Sequence, residues 1–218
     1  VRRIYLDTVG IPPTPANVRD FENDDAPDAW ERLVDTLLSA PQMGERWGRH
    51  WLDLVRYADT NGYEGDGEKP FAWRYRDYVI DAINKDKPYN DFVREQVAGD
   101  EITGANVESV LATEFLRVGP WDAERGASVQ PSEQIAERYN QLDDMVSTTS
   151  VVFLGITMGC ARCHDHKFDP FSARDYYNLV SVSQPLTRPH KFRAELATPA
   201  APPQWLKVKN AETLPQGY

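Results

Sequence analysis

"EQIAERYNQLDDMVSTTSVVFLGITMGCARCH", residues 133–164, begins as one long helical pattern and ends on the chain's two cysteines. From Ser132 its apolar residues recur at helical spacing, and the run delivers the chain directly into Cys160. The segment "VSTTSVV" within it weakens the second half, because β-branched and hydroxyl-bearing side chains compete with helix. Working outward, the same period recurs. "VRRIYLDTVG" at the start reads as a short helix stopped at Gly10, with a proline turn at Pro12 and Pro13. Asp28 is the expected N-cap of a helix carrying Trp30, Leu33, Val34, Leu37 and Leu38. "GERWGRHWLDLVRYADT" places Trp47, Trp51, Leu54, Val55 and Ala58 in one apolar stripe, with His50 beside it and Met43 in the turn before. Further helices are expected at about 72–84, 90–98 and 107–117, and another in "FSARDYYNLVSVS" with Ser172 as N-cap.

Two loops interrupt the pattern, 61–70 ("NGYEGDGEKP") and 118–131, and the length of the second marks it as a candidate functional loop. No run of paired strands and no internal repeat is present. The expected fold is therefore mainly α: a single multi-helix domain over residues 1–184, followed by a proline-rich tail or linker over 185–218.

Hydrophobic residues make up 41% of the chain and charged residues 27%, ordinary values for a globular protein, so a sizeable core is available. Six Trp, ten Tyr and eight Phe suit a core around a large flat cofactor, though they fill a plain core equally well. A net charge of -10 argues against general affinity for nucleic acid or anionic lipid and would steer a basic partner protein. No apolar run is long enough to span a membrane, so direct membrane insertion of this segment is not expected. The chain starts inside what already reads as a helix, as a segment of a longer protein would.

"CARCH", residues 160–164, is Cys-x-x-Cys-His. In c-type haem attachment two thiols so spaced form thioethers with the porphyrin vinyl groups, and the adjacent histidine becomes the proximal ligand of the iron. Cys160 and Cys163 would hold the haem and His164 would bind its iron. Three readings compete. Zinc could take Cys160, Cys163, His164 and His166, but four ligands within seven residues strain a tetrahedron. A redox dithiol would be expected after a strand in a βαβ unit. A simple disulfide is the blandest option. Covalent haem attachment would also fix the compartment as periplasmic or otherwise exported.

Several stretches together, "LDTVGIPPTP", "ERWGRHWLDLVRYADTNGYE", "WRYRDYVI", "PYNDFVREQVAGD" and "LGITMGCARCHDHKFDPFSARDYY", resemble a planctomycete-type cytochrome c family, domain of unknown function 1549, over residues 1–184. The resemblance implies one covalently bound haem c in a large exported protein, with the tail as a junction to another domain. It supplies no reaction and no role beyond Cys160, Cys163 and His164.

The sixth iron ligand would decide the function class. His50 is a candidate distal ligand, with Met43, Met145, Met158 and His190 weaker ones; His166 is too close to the proximal position and would serve a propionate or Asp169. Arg46 and His50, four apart on one helix face, are weak candidates for a catalytic, peroxidase-like pair. In the loop, Glu64, Asp66 and Glu68 lack a calcium-binding pattern. Arg56, Tyr57, Asp59, Arg74, Tyr75, Arg76 and Asp77 suggest an ion-pair network, one member of which could hold a propionate. The leading expectation is a monohaem cytochrome domain passing single electrons to a redox partner protein or an adjacent domain. The alternatives are a haem enzyme with an open or displaceable site near His50, and a sensory or scaffold module.

Overall fold

The computed structural model describes residues 1–63, 65–122 and 130–186. Its helices are α1 (Arg2–Thr8), α2 (Pro15–Glu22), α3 (Ala29–Leu38), α4 (Pro41–Leu54), α5 (Trp73–Asn84), α6 (Tyr89–Ala98) and α7 (Val107–Ala112), followed by α8 (Pro131–Thr149) and α9 (Ala173–Ser183). Among the described residues the only β pairing is an isolated bridge, Thr60 to Glu68, so the fold is mainly helical as expected. The tail expected over 185–218 lies outside the described residues from 187 onward. So do Glu64, His190 and residues 123–129 of the second loop.

Local chemistry sets the helix starts. Thr14, Asn106 and Ser172 each close a reciprocal capping box, and Pro15, Pro41 and Pro131 open their helices where a missing N–H costs nothing. Helix α2 is absent from the sequence reading, although Thr14-Pro15 followed by Asn17 carries its signature. Asp28 precedes α3 but does not cap it. Its backbone is not extended, and its carboxylate instead pairs with Arg32 at 3.3 Å. Helix α4 starts at Pro41, one turn earlier than expected, so Met43 is helical rather than in a turn.

Helices α4 and α5 pack closely because Gly44 and Gly48 leave room: a Cβ at Gly44 would sit 2.6 Å from the Asn84 side chain, and one at Gly48 would sit 3.2 Å from Ile80 Cγ1. The Gly44 N–H donates to Asn84 Oδ1 at 2.8 Å, and Asn84 Nδ2 donates to the Pro41 carbonyl at 3.0 Å. Around this contact lies the first core, with Val55, Tyr75, Tyr78, Val79, Phe92, Phe115 and Val118 buried. A polar chain runs through it. Trp51 Nε1 donates to Tyr75 Oη at 3.0 Å, and Tyr75 Oη donates to Gln96 Oε1 at 2.6 Å. Burial pushes the Tyr75 phenol well above its ordinary range, so it stays a neutral donor.

The expected 107–117 helix ends at Ala112 and tightens into a 3₁₀ turn over Thr113–Leu116. Helix α8 does not reach Cys160. At Ser150–Leu154 its ladder widens into a π turn that stops at Gly155, whose φ of 67° suits glycine. The hydroxyls of Thr149 and Ser150 donate back to the carbonyls of Met145 and Val146, each at 2.7 Å, as their side chains do when they compete with the ladder. Val152 and Phe153 of this turn pack on the first core, with Phe153 against Phe115 and Trp51. A second core of Leu142, Val146, Met158, Ala161, Tyr176 and Val180 joins α8 to α9. Arg56, at the end of α4, reaches across to Asp144 on α8.

Candidate functional site

The Cys-x-x-Cys-His segment opens as a single 3₁₀ turn, Met158–Arg162, mounted on the second core. Three residues per turn bring positions i and i+3 to the same side. Met158 and Ala161 accordingly face inward and are buried, while Cys160 and Cys163 are exposed free thiols. Gly159 allows the close approach, since a Cβ there would meet Ser147 Oγ on α8 at 2.6 Å.

Of the two residues between the cysteines, Ala161 is buried in the second core and Arg162 anchors the turn. Arg162 Nη1 donates to Asp143 Oδ2 at 3.0 Å and Nη2 to Asn140 Oδ1 at 3.3 Å, both on α8. Asp143 also accepts from Tyr176 Oη at 2.6 Å, and Tyr177 Oη donates to the Arg162 carbonyl at 3.0 Å. Burial first, then the bond to Asp143, raises the Tyr176 phenol well above its usual range and keeps it a donor. The turn is thus held from both helices while its thiols stay outside.

The two histidines that follow divide sharply. His164 is exposed, and its Nδ1 lies 2.8 Å from the Asp165 carbonyl. A carbonyl only accepts, so Nδ1 carries the hydrogen and the Nε2 lone pair is left for a metal. The His166 side chain is only 6% exposed. Its Nδ1 receives the backbone N–H groups of Asp169 at 2.9 Å and Phe168 at 3.3 Å. Nε2 therefore carries the hydrogen and meets Thr157 Oγ1 at 3.0 Å, and the ring packs on Phe171 with centroids 4.5 Å apart. An Asp169 carboxylate oxygen lies 3.3 Å from Nδ1, so the expected partnership with Asp169 is present, with a backbone N–H as its main bond. Asp165 Oδ1 accepts the Ala173 N–H at the start of α9, fixing where the segment leaves. Phe168, 83% exposed, lies in the same loop, and Tyr177 on α9 is half-exposed.

The remaining candidates sit elsewhere. Met145 and Met158 are buried in packing. His50 and Met43 line a groove of about 480 Å³ beside α4, and the His50 ring meets Trp47 edge-on at 5.5 Å. Trp47 and Leu54, expected in a buried stripe, are 46% and 55% exposed along that groove, because no other described element covers the outer side of α4. Arg46 lies across Gly10, where a Cβ would sit 2.8 Å from its Cδ. The pair that shares a helix face thus serves two neighbourhoods. Of the expected ion-pair set, Tyr57 bonds Asp59 at 2.7 Å and Arg76 pairs with Asp77 at 3.0 Å within reach of Tyr57, while Arg56 pairs with Asp144. Among the described residues no group of three or more His, Cys, Asp or Glu side chains is placed to hold a metal ion by itself, and Asp66 instead accepts the Gly62 N–H at 3.0 Å.

The profile of a family described as PSCyt2, protein of unknown function (DUF1549), matches residues 1–188. The chain belongs to that family. No curated protein and no solved structure matches it. The description of the PSCyt2 family names no activity. Among the described residues no helix is long and apolar enough to cross a membrane.

The segment thus presents two free, exposed thiols, Cys160 and Cys163, and beside them the His164 imidazole with its Nδ1 occupied and its Nε2 open.

Proposed function

We propose that this PSCyt2 chain is a monohaem c-type cytochrome domain that passes single electrons within a larger exported protein, to an adjacent domain or a redox partner. The observation that carries the reading is the two-sided construction of residues 158–164: an inner side fixed in the core and an outer side presenting Cys160, Cys163 and His164.

Bound there, the haem iron would supply a one-electron couple. The protein's own part is positional. Cys160 and Cys163 would hold the porphyrin by thioether bonds, and His164 Nε2 would bind the iron. The Asp165 carbonyl orients that ring through Nδ1. Arg162, tied to Asp143 and Asn140, keeps the two thiols at fixed spacing. His166, bonded at both ring nitrogens, is withheld from competing for the iron. Attachment of this kind is made outside the cytoplasm, which is the basis for proposing a periplasmic or otherwise exported location.

The test is expression in a host with c-type haem maturation. A covalent haem mass on the denatured chain and a pyridine haemochrome spectrum of the thioether type are expected, both lost in Cys160→Ala/Cys163→Ala. Reduced α and β bands unmoved by carbon monoxide are expected for electron transfer. A spectrum that shifts with carbon monoxide would favour the haem-enzyme reading instead. Absence of covalent haem would overturn both.

A further inference from the structure

The groove beside α4 belongs to the first core and shares no residue with the Cys-x-x-Cys-His segment. Its walls carry five rings, Trp47, His50 and Trp51 from α4 and Tyr89 and Phe92 from α6. Two of these are pre-set. The Trp51 indole is held by its bond to Tyr75 and by an edge contact with Phe92 at 4.9 Å. Trp47 and Tyr89 stay exposed at the mouth.

Charge at the rim is one-sided. Lys87 borders the groove, but its ammonium group bonds to Glu95 and lies 4.8 Å from the centre of the Tyr78 ring, so its charge is already answered. Asp86 is the opposite case. It sits after α5 with a left-handed φ of 48°, fixed by the Asp86 N–H to Ile83 and the Lys87 N–H to Ala82 carbonyl bonds. Among the described residues its carboxylate has no hydrogen-bond or ion-pair partner, and the residue is exposed. A non-glycine residue in that conformation costs energy, yet here it puts an unanswered carboxylate at the lip of an aromatic-walled groove.

We infer that this groove is a binding site for a small organic cation, an alkylated ammonium group with an apolar body. The negative faces of indole and phenol rings attract such a cation, and Asp86 supplies the opposing full charge. A neutral apolar ligand would use the rings alone. A volume of about 480 Å³ exceeds what one alkylated ammonium head fills and lies in the range of small-molecule sites. The inference stands whether or not the chain carries haem.

The decisive comparison is between choline and 3,3-dimethylbutan-1-ol, which replaces the charged nitrogen by carbon and keeps the shape. Binding is read from chemical shifts of the Trp47 and Trp51 indole N–H groups in low-salt buffer. Choline is expected to bind about tenfold more tightly than the carbon analogue, the size of a partly desolvated cation–ring contact. Asp86→Asn should shrink that preference while leaving the fold unchanged, because asparagine tolerates the left-handed backbone at least as well. Trp47→Ala, at a half-exposed position, should remove binding of both ligands without unfolding the chain. Equal affinity for the two ligands would show a plain apolar groove and overturn the inference. So would no shift with either at concentrations of order 10 mM.

Discussion

In the α4–α7 cluster the central polar groups are spent on one another: the Trp51 indole on Tyr75, Tyr75 on Gln96, Tyr78 on Glu95. In the α8–α9 cluster the polar groups of one short segment are split between two purposes. Arg162 and His166 are consumed in holding the segment, while Cys160, Cys163 and His164 are left outside with little to do for the fold. The first region uses its reactive side chains to build a core. The second uses a small core, Met158 and Ala161 against Leu142, Val146 and Tyr176, to display its reactive side chains. A chemical motif is recognisable structurally by this division: its neighbours in sequence do the packing so that its own members need not.

That contrast can be broken by mutation, beginning with the largest effect. Phe115→Ala should cost about 3–5 kcal/mol in urea denaturation, because a 1%-exposed ring packed on Phe153 leaves a cavity where the two regions meet. A cost below about 1 kcal/mol would mean that the first cluster is looser than its burial implies. Gly159→Ala should cost about 1–3 kcal/mol by pressing a methyl group onto Ser147 Oγ. Adding Ser147→Ala should recover most of that loss, since only the Ser147 Cβ, 3.5 Å away, then remains near the new methyl. Failure of the second change to rescue the first would place the strain in the backbone of the turn.

How much of this was legible in the sequence varies with the range of the forces involved. Local chemistry was readable: Ser172 caps α9, Gly10 closes the α1 turn, and helical spacing locates α5 and α6. The Cys-x-x-Cys-His segment declared itself by residue type alone. What failed depended on partners far along the chain. The stripe of Trp47 and Leu54 has core spacing, yet spacing cannot say whether anything lies opposite, and both remain exposed. Asp28 had a capping identity but lacked the extended backbone that capping needs. The π turn at Ser150–Leu154 was foreshadowed by the β-branched run, but its position depends on Phe153 reaching the first core. His166 could not be separated from His164 by sequence, because the difference lies in the N–H groups that the following loop turns back onto one ring and not the other.

The two histidines give the most direct test of the comparison. His166→Ala should destabilise the haem-free chain by about 1–3 kcal/mol, since it removes the acceptor for two backbone N–H groups and the ring packed on Phe171. His164→Ala, at an exposed position with one hydrogen bond to a neighbouring carbonyl, should leave stability within about 0.5 kcal/mol of wild type. Both values come from urea titration of chain made without haem maturation, so neither depends on the proposed cofactor. The smaller effect is the sharper result. A residue that costs nothing to remove, two positions from one that costs much, is held outside the fold's own economy and is free for chemistry. If His164→Ala instead costs as much as His166→Ala, the outer side of the segment is structural, and the division between display and packing fails at the residue on which the functional proposal most depends.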